Sequence, residues 1–163
     1  MLNGVNMKKA TITVLLVAAQ FAVLTCANAA EHGNEAEAQA MVVQAVALIK
    51  SAGADTAYKA FTDHPGGAFK DRDMYVFAYG YDGTCIAQGA NPKMVGKNLL
   101  GIKDVDGNAF IKGEIDLVKS KGKGWYGPYK FNNPNTNTYE EKKSYCEQGA
   151  PNTIVCVGIY QTH

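Results

Sequence analysis

The sequence predicts an α+β fold in which a five-stranded antiparallel sheet carries a long N-terminal helix on one face. Three observations predict it. Glu35 to Ser51 carries Met41, Val42, Ala45, Val46, Leu48 and Ile49 at mostly helical spacing, and Asp73 to Gly89 reads as two strands joined by a turn. The element order is two helices, then five strands interrupted by one helix. With 163 residues, 47% hydrophobic content and a net charge of +1, the chain is long enough for one domain with a real core. That charge, with no basic face, excludes nucleic acid as the main partner; Lys119, Lys121 and Lys123 read as a solvated helix end.

Residues 1–30 read as a secretory signal peptide, and residues 31–163 as the single domain. Met7-Lys8-Lys9 is a positive n-region, Ala10 to Thr25 an apolar stretch, and Ala27-Asn28-Ala29-Ala30 a small-residue cleavage site, with cleavage expected after Ala29 or Ala30. The short apolar run disfavours a retained anchor, and bulky Thr25 disfavours lipid on Cys26. No later stretch reaches the ~20 apolar residues of a membrane span, so a periplasmic or secreted protein is expected. Export would leave Cys85, Cys146 and Cys156, an odd number, hence at most one bridge and one free thiol. There is no Cys-x-x-Cys, and His32, His64 and His163 are scattered, so neither a metal nor another cofactor is expected.

Taken in order, Gly53 closes the first helix, Asp55 to Phe61 forms a short second one, and His64-Pro65-Gly66-Gly67 is a loop. In the hairpin, Asp82 and Gly83 can both take positive φ, as a two-residue type I′ turn requires. Period-2 counting puts Tyr75, Phe77, Tyr79 and Tyr81 on one face and Val76, Ala78 and Gly80 on the other. The small face suits a closely packed helix. The aromatic face suits a pocket wall, or an ordinary core.

Pro92 to Leu100 is a compact connection with apolar residues to bury. Asp104, Asp106 and Asn108 match the first, third and fifth places of a calcium loop, but Ala109 stands where its glycine belongs and Glu114 falls one place short of the bidentate position. The segment therefore reads as a turn with Asn108 or Asp106 capping a helix from Ala109 to Lys121, buried through Phe110, Ile111, Ile115, Leu117 and Val118. Trp125 to Phe131 is the third strand, with a bulge or edge position at Pro128. Asn132 to Asn137 is a polar turn, and Tyr139 to Glu147 and Thr153 to Tyr160 are the last two strands, joined through Gly149 to Asn152. If those two strands pair around that loop, opposed residues have numbers summing to about 302, as 146 and 156 do, so a Cys146–Cys156 disulfide is expected, with three buried thiols the alternative.

Tyr75 to Tyr79 with Asp82-Gly83, Asn91 to Leu99, Asp104 to Gly107 with Phe110-Ile111, Gly124-Trp125, Lys142 to Tyr145 and Val157 to Tyr160 together resemble the single Cache domain, type 2, over nearly all of the mature chain. The resemblance implies a PAS-like sheet and a sensory role, binding a small metabolite, often a short carboxylate, outside the cytoplasm. It implies as partners a small organic acid or similar metabolite and a membrane receptor or kinase. The chain stops three residues after Tyr160, without a second membrane helix, so it is similar to the free-standing exported members. Gln88 departs from the family by standing where relatives commonly carry a His, and it is counted at that position as a candidate contact.

The expected pocket is closed by the 89–108 connection and lined by Tyr75, Phe77, Tyr79, Trp125, Tyr129 and the inner face of the fourth strand. Lys142 shares that face with Ser144 and Cys146 and matches the lysine of the family's Pro-Lys-x-Ser-Tyr segment. It is the expected cationic contact, held over Tyr79 and Trp125, with Lys143 on the opposite face. An enzyme would need a nucleophile with a base, paired carboxylates or a metal cluster in the pocket; Cys85 has no histidine placed near it, and the carboxylates read as lying in turns or on helix surfaces. The expected function is ligand binding without catalysis, the alternative a partner-binding or structural subunit of an envelope signalling complex with a vestigial pocket.

Overall fold

The computed structural model describes residue 1 and residues 32–63 and 67–161. The expected signal peptide and Cys26, His64 and His163 lie outside the described residues. Helix α1 spans Glu35–Ala52 and opens with a reciprocal capping box: Asn34 Oδ1 accepts from Glu37 N, and Glu37 Oε2 accepts from Asn34 N, each at 3.0 Å. Its last turn closes where Gly53, at φ 85°, donates to Ile49 O. α2 runs Ala54–Asp63, longer at both ends than the sequence suggests.

The sheet contains β1 (Lys70–Asp71), β2 (Met74–Gly80), β3 (Cys85–Gln88), β4 (Lys123–Asn132), β5 (Tyr139–Gln148) and β6 (Thr153–Tyr160), all antiparallel. β2, β6, β5 and β4 are neighbours in that order, and β3 pairs with the other edge of β2. The two-residue β1, which pairs with the start of β2, is a sixth strand beyond the five expected. α3 spans Phe110–Lys121 between β3 and β4.

Two apolar clusters fill the two faces of the sheet. α1 and α2 bury Ala38, Val42, Ala45 and Phe61 against Val76 and Ala78 of β2 and Val155 and Val157 of β6. The alanines and valines let helix and sheet approach closely. On the other face, Tyr75, Phe77 and Tyr79 meet Leu99, Phe110, Ile111, Ile115 and Tyr129. The hairpin's alternation thus assigns each face the side chains that period-2 counting gives it.

Two turn details differ from expectation. Of Asp82 and Gly83, only Gly83 takes positive φ, at 85°. Gly83 N bonds Gly80 O, and Gly80 N bonds Thr84 O, so the loop is the three-residue Tyr81–Gly83 turn with a bulge glycine. Asp82 keeps its ordinary backbone because its carboxylate accepts from Thr84 N and Thr84 Oγ. Neither Asn108 nor Asp106 caps α3: Ala109 holds that place with no side-chain hydrogen bond. Both are instead gathered around Asp104, whose carboxylate accepts from Asp106 N, Asn108 N and Asn108 Nδ2 and, across a gap in sequence, from Lys130 N of β4 at 3.0 Å. Desolvation would raise the Asp104 carboxyl, but these hydrogen bonds outweigh it and hold it at about 2. Oxygens facing four N–H donors make a strut, not a cation loop.

Candidate functional site

The aromatic face of β2 opens toward one side of β5, and there the site is built around Lys142. Residues 142, 144 and 146 of β5 share this face, while Lys143 and Tyr145 point to the helices. Lys142 is only 2% exposed. Room for it exists because β6 carries Gly158 beneath the lysine stem, where a side chain would collide with it. The ammonium donates to Tyr75 Oη at 2.8 Å and sits 4.4 Å from the centroid of the Tyr75 ring, 4.9 Å from those of Phe77 and Phe131, and 5.1 Å from that of Tyr160. This aromatic enclosure, and not Tyr79 and Trp125 as expected, is what the cation lies against. Among the described residues, no carboxylate comes within ion-pair distance of it.

The hydrogen bonds continue outward. Tyr75 Oη lies 3.4 Å from Tyr160 Oη, which donates to Asn132 O at 2.8 Å. Burial, followed by neighbouring Tyr75, pushes the Tyr160 phenol far up, so it stays a donor. Gln88, paired with Phe77 across β2–β3, is buried, and its Oε1 accepts from Ala90 N at 3.1 Å, which leaves its amide N–H groups as the polar atoms it can offer the cavity.

Six of the seven residues singled out from the sequence line one space: Tyr75, Phe77, Tyr79, Gln88, Tyr129 and Lys142 surround an inner cavity of about 10 Å³ together with Phe110 and Phe131. That is room for about one water. Tyr75, Gln88 and Phe131 also line a vestibule of about 310 Å³, walled by Ala90, Asn91 and Met94 of the connection and by Asn132 and Pro134. The 89–108 connection closes over this face as expected.

Trp125 is not part of that wall. It packs on the helix side of the sheet against Tyr145, ring centroids 5.4 Å apart, with Lys143 Nζ over its ring. The reason lies in the β4–β5 register. Tyr126 opposes Ser144 but Tyr129 opposes Lys142, so β4 spends three residues where β5 spends two. The extra residue at Gly127-Pro128 reverses the alternation, putting Tyr126 with Tyr129 and turning Trp125 away. Pro128 signalled the bulge; the change of face it causes is the step the sequence reading lacked.

Glu114 corrects the expectation that the carboxylates sit in turns or on helix surfaces. It lies on the buried stripe of α3 with Phe110, Ile111, Ile115 and Val118 and is fully buried. Tyr129 Oη donates to Glu114 Oε1 at 3.0 Å and is 2.7 Å from Ser144 Oγ, whereas Glu114 Oε2 has no hydrogen-bond partner. Burial raises this carboxyl to about 7 against the pull of the Lys142 charge and of hydrogen bonds from Tyr129 and Ser144. Its carboxylate lies within 4.8 Å of the sulfurs of Cys146 and Cys156. Those sulfurs are bonded to each other between directly opposed residues, Cα atoms 4.1 Å apart, so the trio is no thiolate site. Cys85 is a free, buried thiol, raised by desolvation to about 11. Position 114 falls three residues after Ile111 and four after Phe110, which places it on their face of α3; what keeps a charged group buried there is supplied by Tyr129 and Ser144.

The family model of the single Cache domain 2 matches residues 6–162. No curated protein matches the sequence. Among solved structures, a methyl-accepting chemotaxis protein from Vibrio parahaemolyticus is similar at TM-score 0.64 and 25% identity, over 77% of this chain and 86% of that one. A periplasmic sensor domain of a chemotaxis protein is similar at TM-score 0.61 and 20% identity, over 78% and 90%. A Cache chemosensory domain described for its carboxylic acid recognition is similar at TM-score 0.60 and 24% identity, over 76% and 86%.

Proposed function

The chain belongs to the single Cache domain 2 family, and on that premise we propose that it binds a short organic acid outside the cytoplasm, with Lys142 meeting the carboxylate. Cache domains are sensory ligand-binding domains and not enzymes. One observation carries the reading. A buried ammonium with no carboxylate in ion-pair reach among the described residues is costly to keep, and an incoming anion offsets that cost. The vestibule gives access, Gln88 offers amide donors beside the lysine, and apolar Met94, Phe131 and Pro134 suit a short carbon skeleton. The similar Cache domain described for carboxylic acid recognition supports the same ligand class. Export through the N-terminal segment, and a membrane receptor or kinase reading the bound state, complete the proposal.

The small inner cavity favours a second reading, a partner-binding subunit with a vestigial pocket. A thermal-shift series with acetate, propionate, pyruvate and lactate against chloride separates the two. At 100 times its dissociation constant, an acid stabilises by ~2.7 kcal/mol. Lys142→Met abolishes that shift and Lys143→Met keeps it. A series in which no acid moves the melting temperature, or in which only Lys143→Met loses the response, refutes acid binding at Lys142.

A further inference from the structure

Among the described residues, Glu114 and Lys142 are buried charge-bearing side chains that share the ligand face, and Tyr129 and Ser144 stand between them. Lys142 and Ser144 are successive inward residues of β5, Ser144 Oγ lies 2.7 Å from Tyr129 Oη, and Tyr129 Oη donates to Glu114 Oε1. Tyr129 also lines the cavity in which the ammonium sits. The other oxygen, Glu114 Oε2, is buried with no donor, near the disulfide sulfurs. An ionised carboxylate left with an unsatisfied oxygen depends on the nearby cation to remain charged.

We propose that Glu114 is the specificity-determining partner of Lys142: an acid anion arriving at the ammonium is accompanied by one proton taken up on Glu114, so that the site binds A⁻ plus H⁺ and favours a single negative charge. This rests on the acid-binding reading above. With the pocket empty, the Lys142 charge, beyond ion-pair distance, offsets only part of the cost of ionising Glu114. Once a monoanion sits on Lys142, an ionised Glu114 would leave a net negative charge in a dry interior, and the proton removes it. A dianion would carry one uncompensated charge even then, which disfavours it.

The groups that face Glu114 leave it alone to titrate near neutrality. Tyr79 from β2 and Tyr126 and Tyr129 from β4 are all raised above the ordinary tyrosine value, chiefly by desolvation. Ser144 does not ionise in this range, and the disulfide does not titrate. Lys142 draws the Glu114 carboxyl down, and an anion on Lys142 cancels that pull, so binding raises it from about 7. Affinity is therefore level below pH 7 and falls as pH rises above it, by up to about tenfold per unit, until it passes the Glu114 midpoint of the complex.

The test uses the purified protein with acetate as probe. Carbon-13 titration of the glutamate carboxyls reads the Glu114 midpoint directly, free and saturated with acetate, and calorimetry between about pH 6 and pH 9 reads affinity. The midpoint should rise by a unit or more on saturation, and it should rise in Lys142→Met without any acetate. Calorimetric affinity should slope in the parent and be flat in Glu114→Gln, whose amide imitates the protonated acid. An unmoved midpoint, or a slope that persists in Glu114→Gln, overturns the inference while acid binding stands. Acetate, propionate, pyruvate and lactate all giving neither binding heat nor a melting shift overturns acid binding and this inference together; where acetate alone is silent, the same titration is run with the acid that binds. The parent's own midpoint decides the matter should Glu114→Gln not fold.

Discussion

Lys142 lies across Gly158: a Cβ on Gly158 would stand 2.0 Å from Lys142 Cε and 3.0 Å from Nζ. The two are not directly opposed, since Gly158 pairs with Ser144 and Lys142 with Tyr160, so the lysine stem runs diagonally over the gap that the glycine leaves. Gly158→Ala should expel the ammonium from its aromatic enclosure. The expected result is loss of acid binding comparable to Lys142→Met, at a stability cost of ~1–3 kcal/mol typical of inserting a methyl group into a packed core. Calorimetry with acetate and denaturant unfolding measure both; unchanged affinity would show that the lysine reaches its ligand by another path.

The Cys146–Cys156 pair closes a short loop of sequence separation 10 on the central strands β5 and β6. Chain-entropy arithmetic for such a loop gives ~2.7 kcal/mol. The double variant Cys146→Ala, Cys156→Ala should lose about that much in urea unfolding. Thiol counting on unreduced protein cleaved after Ala29 or Ala30 should find one thiol, Cys85, which reacts only after unfolding because it is buried and its thiolate is disfavoured. Two or more thiols in that cleaved, unreduced protein would count against the bridge.

Glu114 sets an alkaline limit on stability. Its carboxyl is raised in the folded state, to about 7 from an ordinary 4.5, so the folded protein holds a proton that the unfolded chain has released. Stability from this group is complete below about pH 4.5, declines as pH rises to 7, and is then lost, a loss on the order of 3 kcal/mol. Glu114→Gln should accordingly be more stable than the parent at pH 8.5 and nearly equal to it at pH 4.5. Equal melting curves for the two at both pH values would contradict this.

Asp104 works in the opposite direction. Its carboxyl is held at about 2 in the folded state, below the ordinary 3.8, so it stabilises above about pH 4, and that contribution fades as pH falls toward 2. Asp104→Ala should lower the melting temperature at pH 7 and make no difference near pH 2. Amide exchange at Lys130, the donor on edge strand β4, should accelerate in the variant at pH 7. A Lys130 amide that exchanges as in the parent would mean the strut is not what protects that edge.

Elements whose signal is local were legible from the chain alone. Thr153–Tyr160 has its expected limits, α1 starts at Glu35, and the faces of Tyr75–Tyr79 follow from alternation because the strand is regular. Cys146 facing Cys156 follows from the position of the Gly149–Asn152 turn. Two features needed the third dimension. Trp125 was misassigned because a single extra residue in β4 reverses all that precedes it, and no propensity scale registers parity. Glu114 went unnoticed because a glutamate on a helix ordinarily faces water. Its burial depends on Tyr129 and Ser144, which lie 15 and 30 positions away in sequence. The cap of α3 was misread because Asp104 recruits Asn108, a competition between two local hydrogen-bonding schemes.

The bulge between Tyr126 and Tyr129 turns the pocket into a matter of counting. Length variation in a surface loop is mild, ~0.6 kcal/mol for each doubling. Removing one residue from Gly127-Pro128 would only close the bulge, leaving Tyr126 against Ser144, Tyr129 against Lys142 and Trp125 against Tyr145, whereas removing one from the regular strand on either side would carry the residues beyond it to the opposite face. Descendants of this sequence can drift in what lines the cavity and can lose the extra residue, but along the regular parts of the edge strand they inherit an arithmetic constraint on chain length that substitution cannot relax.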